Sequence, residues 1–166
     1  MFEKLNKFEQ WVFDILALAL VLFYSYSAVL EPAATEYHRG VYVLITYVLV
    51  FLLYQSKGGL GRALDYLLIV TSIVCIGYWI GNFEAINYRA GAETALDKGI
   101  AVVGVLIGVE LARRVVGNVF VIIGAVMLLY GVYGASPLLP EDIQHAGDTF
   151  PELCTSIFYK SDGVFG

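Results

Sequence analysis

Residues 11–30 read WVFDILALALVLFYSYSAVL, and residues 115–133 read VVGNVFVIIGAVMLLYGVY. Asp14 is the single charge of the first stretch, and the second carries none. At about 1.5 Å of rise per residue, about 20 helical residues cross a hydrocarbon core about 30 Å thick. Lipid offers a backbone N–H or C=O no partner, so such stretches must bond internally as helices. A membrane β-barrel would alternate polar and apolar residues in short segments, and these runs do not alternate. Working outward, similar blocks cover 40–54, 64–83 and 98–112, and the four prolines all lie outside them. The chain is 59% hydrophobic and 15% charged, whereas soluble domains are about half apolar and about a quarter charged. The expected fold is an all-α integral membrane domain of four to five spans, five favoured, followed by an outer tail over 134–166.

Lys and Arg set the expected orientation, because cytoplasmic loops carry an excess of them. With the N-terminus inside, Lys4, Lys7, Lys57, Arg62, Arg113 and Arg114 gather on the inner side. The outer side then holds four cations, Arg39, Arg89, Lys98 and Lys160, against ten carboxylates. This arrangement needs the chain to turn at Arg113-Arg114. The competing form is one bent helix from Asp97 to Tyr133, about 55 Å long, which would leave Glu110 and both arginines at membrane depth at considerable cost. The favoured topology is therefore N-in and C-out.

Lys4 and Lys7 ahead of an apolar run also suggest a signal peptide. The run is long for one and Asp14 interrupts its start, so an uncleaved first helix is expected. Phe2, Leu5, Phe8, Trp11 and Val12 fall at helical spacing, which predicts a short helix lying in the cytoplasmic interface. In the tail, Thr149-Phe150-Pro151-Glu152 fits a capping-box start. Phe150, Leu153, Cys154, Ile157 and Phe158 then make an apolar stripe, predicting a short amphipathic helix on the outer surface or against a partner.

Groups able to carry chemistry are few. Cys75 and Cys154 are assigned different depths and lack ligand spacing, so neither a disulfide nor a metal centre is expected. His38 and His145 fall in outer loops and read as solvated. No phosphate loop, nucleophile elbow or zinc-helix motif occurs. No catalytic residue, cofactor, metal or nucleic-acid partner is expected. Asp14, Asp65, Asn82, Glu84, Lys98 and Asn118 all sit near span ends, leaving Thr46, Thr71, Ser72 and Cys75 as the polar groups of the central turns. A conducting path must replace a solute's hydration along its length, so an accessory subunit is expected rather than a pore.

Glu110 stands i, i+3 from Arg113 and i, i+4 from Arg114, within reach of both. Two readings follow: an interfacial ion pair that fixes a helix end, or a buried pair that locks this chain to another subunit. Gly77 with Gly81 and Gly104 with Gly108 form GxxxG pairs, and Gly117, Gly124 and Gly131 recur every seven residues. Small residues let membrane helices approach closely, so these glycines are candidate contact points. Tyr and Trp near the span ends, Trp11, Tyr54 and Tyr133 among them, read as interfacial belts.

Residues 82–134 bring together Asn82-Phe83-Glu84-Ala85, Arg89-Ala90-Gly91, a helix start at Leu96-Asp97, and Glu110-Leu-Ala-Arg113-Arg114-Val-Val-Gly117. This order resembles the N-terminal membrane region of TAXI-type TRAP (tripartite ATP-independent periplasmic) transporters. The tail from Tyr159 to Gly166 is similar to the stretch where fused permeases pass into their large domain. The likeness spans about 60–166 and extends to the first two spans in hydropathy only. It implies the small (Q) membrane subunit of a secondary, ion-driven transporter for organic acids or amino acids, in the bacterial inner membrane. It also implies a large (M) elevator permease and a periplasmic TAXI-type binding protein as partners, with membrane lipids around them. Glu110, Arg113, Arg114, Gly117, Gly124 and Gly131 are then subunit-interface candidates, and Glu84, Arg89, Phe150, Leu153 and Ile157 outer-side partner candidates. A different class, a stand-alone membrane sensor or lipid-handling module with the tail as its sensing element, is the alternative.

Overall fold

The computed structural model describes residues 5–30, 35–56, 58–159 and 164. Among them all regular structure is helical, and the chain divides into two compact units, Met1–Ala85 and Ile86–Gly166.

The first unit is an up-down-up arrangement of α1 (Lys7–Val29), α2 (Thr35–Leu53) and α3 (Gly59–Gly81). The Asn6 N–H, orphaned ahead of α1, donates to Glu9 Oε2 at 2.9 Å. This satisfies one of the donors a helix start leaves open. No separate interfacial helix precedes the span within the described residues. Leu5 is already buried, α1 runs unbroken from Lys7, and residues 1–4 lie outside the described chain. The expectation over Phe2–Val12 is thereby corrected for its described part: Phe8, Trp11 and Val12 belong to the first long helix.

Gly58, at φ +88°, turns the chain from α2 into α3, a conformation that costs other residues a Cβ clash. The two helices pack antiparallel, with Phe51 fully buried and edge-on to Tyr47. Gly40 permits their close approach near the other end, since a Cβ there would lie 2.6 Å from Ile80 Cγ1.

The second unit holds α4 (Phe83–Tyr88), α5 (Ala95–Val115), α6 (Asn118–Tyr133) and α7 (Phe150–Tyr159), α4 beginning just before the boundary. The capping box of α5 is reciprocal: Thr94 N–H donates to Asp97 Oδ2 at 3.0 Å, and Asp97 N–H to Thr94 Oγ1 at 3.2 Å. The break between α5 and α6 falls at Val116-Gly117 rather than at Arg113-Arg114, with Gly117 at φ +107°. The chain folds back there. The hydroxyl of Tyr159 in α7 donates to Asp97 O at the start of α5, while Leu153 of the same helix lies against Gly131 near the end of α6. On a continuous helix those two points would be about 50 Å apart, whereas ten-residue α7 is about 15 Å long. The single long helix from Asp97 to Tyr133 is therefore not what forms.

Two helices, α1 and α3, are long and apolar enough to cross a membrane by length and composition. Tyr37–Leu53 and Asn118–Tyr133 are apolar but shorter. The fourth block, expected over 98–112, forms as the longer helix Ala95–Val115 and includes Asp97, Lys98, Glu110, Arg113 and Arg114.

Candidate functional site

In the first unit the chemistry concentrates where α1 and α3 begin. Glu9 is 4% exposed, and Arg62 of α3 grips its Oε1 through Nε at 3.0 Å and through a second, shorter N–H contact. Tyr66 donates to the same oxygen at 2.5 Å. One turn away Asp65, 1% exposed, accepts from the Ser56 N–H and hydroxyl, both at 2.9 Å, and lies 3.8 Å from Arg62. A buried carboxylate costs several kcal/mol unless paired and hydrogen-bonded. Each is held here, Glu9 in a salt bridge and Asp65 by a hydroxyl and an N–H. Through these contacts the start of α3 is tied to the start of α1 and to the turn that precedes it. The sequence reading put Arg62 on the inner side but did not pair it with Glu9, because 53 residues separate them. The available signal was their depth: charges at the ends of apolar helices require partners.

The second unit repeats the logic with different residues. Asp97 is fully buried, capping α5 and pairing with Arg89 at 3.2 Å. Arg89 Nε is buried without a hydrogen-bond partner among the described residues. Arg89, a candidate for contact with an outer-side partner, is engaged by its own chain's Asp97 while its side chain keeps 36% exposure. Glu84 stays exposed in the first turn of α4.

The tail helix forms where the stripe predicted it, and its cover comes from the chain itself. α7 docks on α5 of the same chain, burying Cys154, Thr155, Phe158 and Tyr159. The buried face is therefore offset from the expected stripe. Phe150 remains 41% exposed, Leu153 covers Gly131, and Ile157 is half-buried. Lys98 and Glu152 tie the two helices at 3.8 Å. The Thr149 hydroxyl and N–H, donating to Glu152 at 2.6 and 3.2 Å, hold its carboxyl below the usual carboxylate range, with Lys98 assisting. A carboxyl lowered in the folded state adds stability above its unfolded pKa and loses it as pH falls through the folded value. Hydrogen exchange of the α7 amides, corrected for intrinsic rates, should accelerate in acid below the ordinary carboxylate range. Glu152→Gln should flatten that dependence, and an unchanged profile would contradict the assignment.

At the other end of α5, Arg113 takes Glu110 in a two-pronged grip, Nε and a terminal N–H each at 2.7 Å, and Arg114 Nε reaches the same carboxylate at 2.7 Å. Arg113 is 48% exposed and Arg114 8%. The pairing inferred from i, i+3 and i, i+4 spacing is present within the helix. The three-glycine register of the last helix is not one contact within the chain. Gly117 is the break itself, Gly124 faces open space, and Gly131 alone meets a neighbour, Leu153. Gly77 and Gly81 likewise face open space, whereas Gly104 seats the ring of Phe158.

His38 is half-buried in the chain, whereas His145 packs against an aromatic ring yet stays exposed. His38 lies inside α2, edge-on to Tyr24 at 4.6 Å, with Nδ1 3.3 Å from Ser27 Oγ. His145 sits on the Tyr130 ring at 4.9 Å. Its Nδ1 accepts from Gly147 N–H at 3.0 Å, so Nε2, 3.1 Å from Tyr130 O, carries the proton and donates. Cys75 and Cys154 are free thiols, both buried. No family model, curated protein or solved structure matches the chain.

Proposed function

We propose that the chain is a multi-pass, non-catalytic membrane scaffold subunit. Its role corresponds to that of the small (Q) subunit of a TAXI-type TRAP transporter for organic acids or amino acids, holding a large permease in the bacterial inner membrane. The observation that carries the membrane part is an inverted burial pattern. In α1 the buried residues are Glu9 and Ser27, while Leu18, Val21, Leu22 and Val29 are exposed. In α6 no residue is buried, and Val119, Ile122, Val126 and Met127 all face outward. Soluble proteins seldom expose contiguous apolar patches beyond a few hundred Å². Apolar area left in water costs about 25 cal/mol per Å², so a chain that turns polar groups inward and leucines outward is built for an apolar solvent. Five spans with N-in, C-out topology accord with the charge distribution.

The scaffold reading is supported by where polar groups lie. The ion pairs sit at helix ends and are bound by the chain itself, which leaves packing surface as what the helices present. The TAXI-type assignment rests on residues 82–134 and their resemblance. Alkaline carbonate washing tests the first part: the chain should remain in the membrane pellet. Co-expression with a large TRAP permease tests the second. Co-purification, together with sodium-dependent uptake that requires both chains in proteoliposomes, is the expected result. Uptake by this chain alone would refute the accessory role. Loss from the pellet would refute the membrane reading.

A further inference from the structure

We propose that the α5–α6 turn is a binding surface for the anionic phosphate headgroup of a membrane lipid, with Arg113 as its principal contact; this rests on the membrane reading above. Three groups set the charge of the turn: Glu110, Arg113 and Arg114 sum to one net positive charge at neutral pH. The two arginines are not equivalent. Arg114 is 8% exposed and folded onto Glu110, whereas Arg113 is 48% exposed. Glu110 engages Arg113 through Nε and one terminal nitrogen. That grip fixes the plane of the guanidinium and holds it ready for a second oxyanion, the geometry in which arginine binds phosphate.

The surroundings specify a lipid rather than a dissolved anion. Val115, Val116, Val119 and Phe120, on both sides of the break, are 45%, 64%, 72% and 53% exposed. A cation followed within seven residues by four exposed branched and aromatic side chains matches the boundary between headgroups and acyl chains, where phosphate and hydrocarbon are presented together. A soluble phosphate would meet the same charge but gain nothing from those apolar side chains. Glu110 lowers the net charge while orienting Arg113, so the surface favours a single headgroup over a broad anionic sheet.

A cation near an anionic membrane surface contributes about 1 kcal/mol, equivalent to about a five-fold change in affinity. The test uses the full chain in a neutral detergent, titrated separately with phosphatidylglycerol, phosphatidylcholine and inorganic phosphate. Bound species are counted by native mass spectrometry. Phosphatidylglycerol should bind in preference to phosphatidylcholine, and Arg113→Gln should weaken it about five-fold while leaving phosphatidylcholine unchanged. Arg113→Lys, which keeps the charge without the fork, should fall between. Inorganic phosphate at lipid-equivalent concentration should not displace the lipid.

Three results would overturn the proposal: equal binding of the two lipids, a preference unaffected by Arg113→Gln, or displacement by inorganic phosphate. Arg113 is exposed, and circular dichroism of the variant checks that folding is intact. Should Arg113→Gln unfold, the wild-type preference and the phosphate competition still decide. A chain that withstands carbonate washing yet shows no preference fails this inference alone, while one that washes out fails both.

Discussion

Replacing Arg62 by alanine should destabilise the first unit by about 3 kcal/mol, the lower end of the range for breaking a buried ion pair. The lower end applies because the Arg62 side chain keeps 19% exposure, so water can partly compensate. The change strips Glu9 of its cation while leaving it 4% exposed, and the uncompensated carboxylate accounts for most of the cost. It must then take up a proton or pull the start of α1 away from α3. Unfolding in graded mixtures of sodium dodecyl sulfate and a mild detergent would measure the loss. The double variant Glu9→Gln, Arg62→Met should recover much of it, since replacing both partners removes the unpaired charge. A single-variant loss below about 1 kcal/mol, the scale of a surface pair, would show that the cluster is solvated and does not pin the helices.

The second large effect concerns Gly104. A Cβ at that position would fall inside the contact distance of the Phe158 ring, and Phe158 is 1% exposed with little room to move. Alanine would combine a clash with a gain of about 1 kcal/mol in helix propensity, so valine is the cleaner probe. Overpacking of this kind costs about 2 kcal/mol, borne where α7 rests on α5. Cys154 reports the opening directly, because it is fully buried on the face of α7 that rests against α5, and burial pushes its thiol pKa up. In a Cys75→Ser background, maleimide modification of Cys154 should rise about thirty-fold with Gly104→Val, that energy expressed as an opening equilibrium. Gly77→Val, placed where a Cβ meets nothing within 4 Å, should leave the rate unchanged. Equal effects from both would mean that α7 is not seated on Gly104.

Local features were legible in the sequence because their causes are local. The spacing of Glu110, Arg113 and Arg114 lies within one helical turn and determined their pairing. The Thr149–Glu152 contact and the helix over Phe150–Tyr159 also follow from neighbours a few residues apart. What escaped was set by tertiary packing. An apolar stripe says that a helix face is covered but not by what, so α7 could be assigned to a partner although its own α5 covers it. Arg89 read as an outward cation because nothing in the adjacent residues reveals that Asp97, eight positions on, is buried beside it. Gly117 was placed in a helix-packing register, yet its positive φ makes it the turn between α5 and α6. Periodicity does not distinguish a glycine kept for its small size from one kept for its backbone freedom.

The hydrogen bond from Tyr159 to the Asp97 carbonyl spans 62 residues, and that separation sets an order of events. The local support of α5, its Thr94 cap and the Arg89 pair, exists as soon as those residues have been made. The clamp from α7 does not. At a synthesis rate of about 5–20 residues per second, it follows about 3–12 seconds later. During that interval the Gly104 groove is bare and the start of α5 is held from one side only. A ribosome pause between residues 97 and 159 would lengthen that interval.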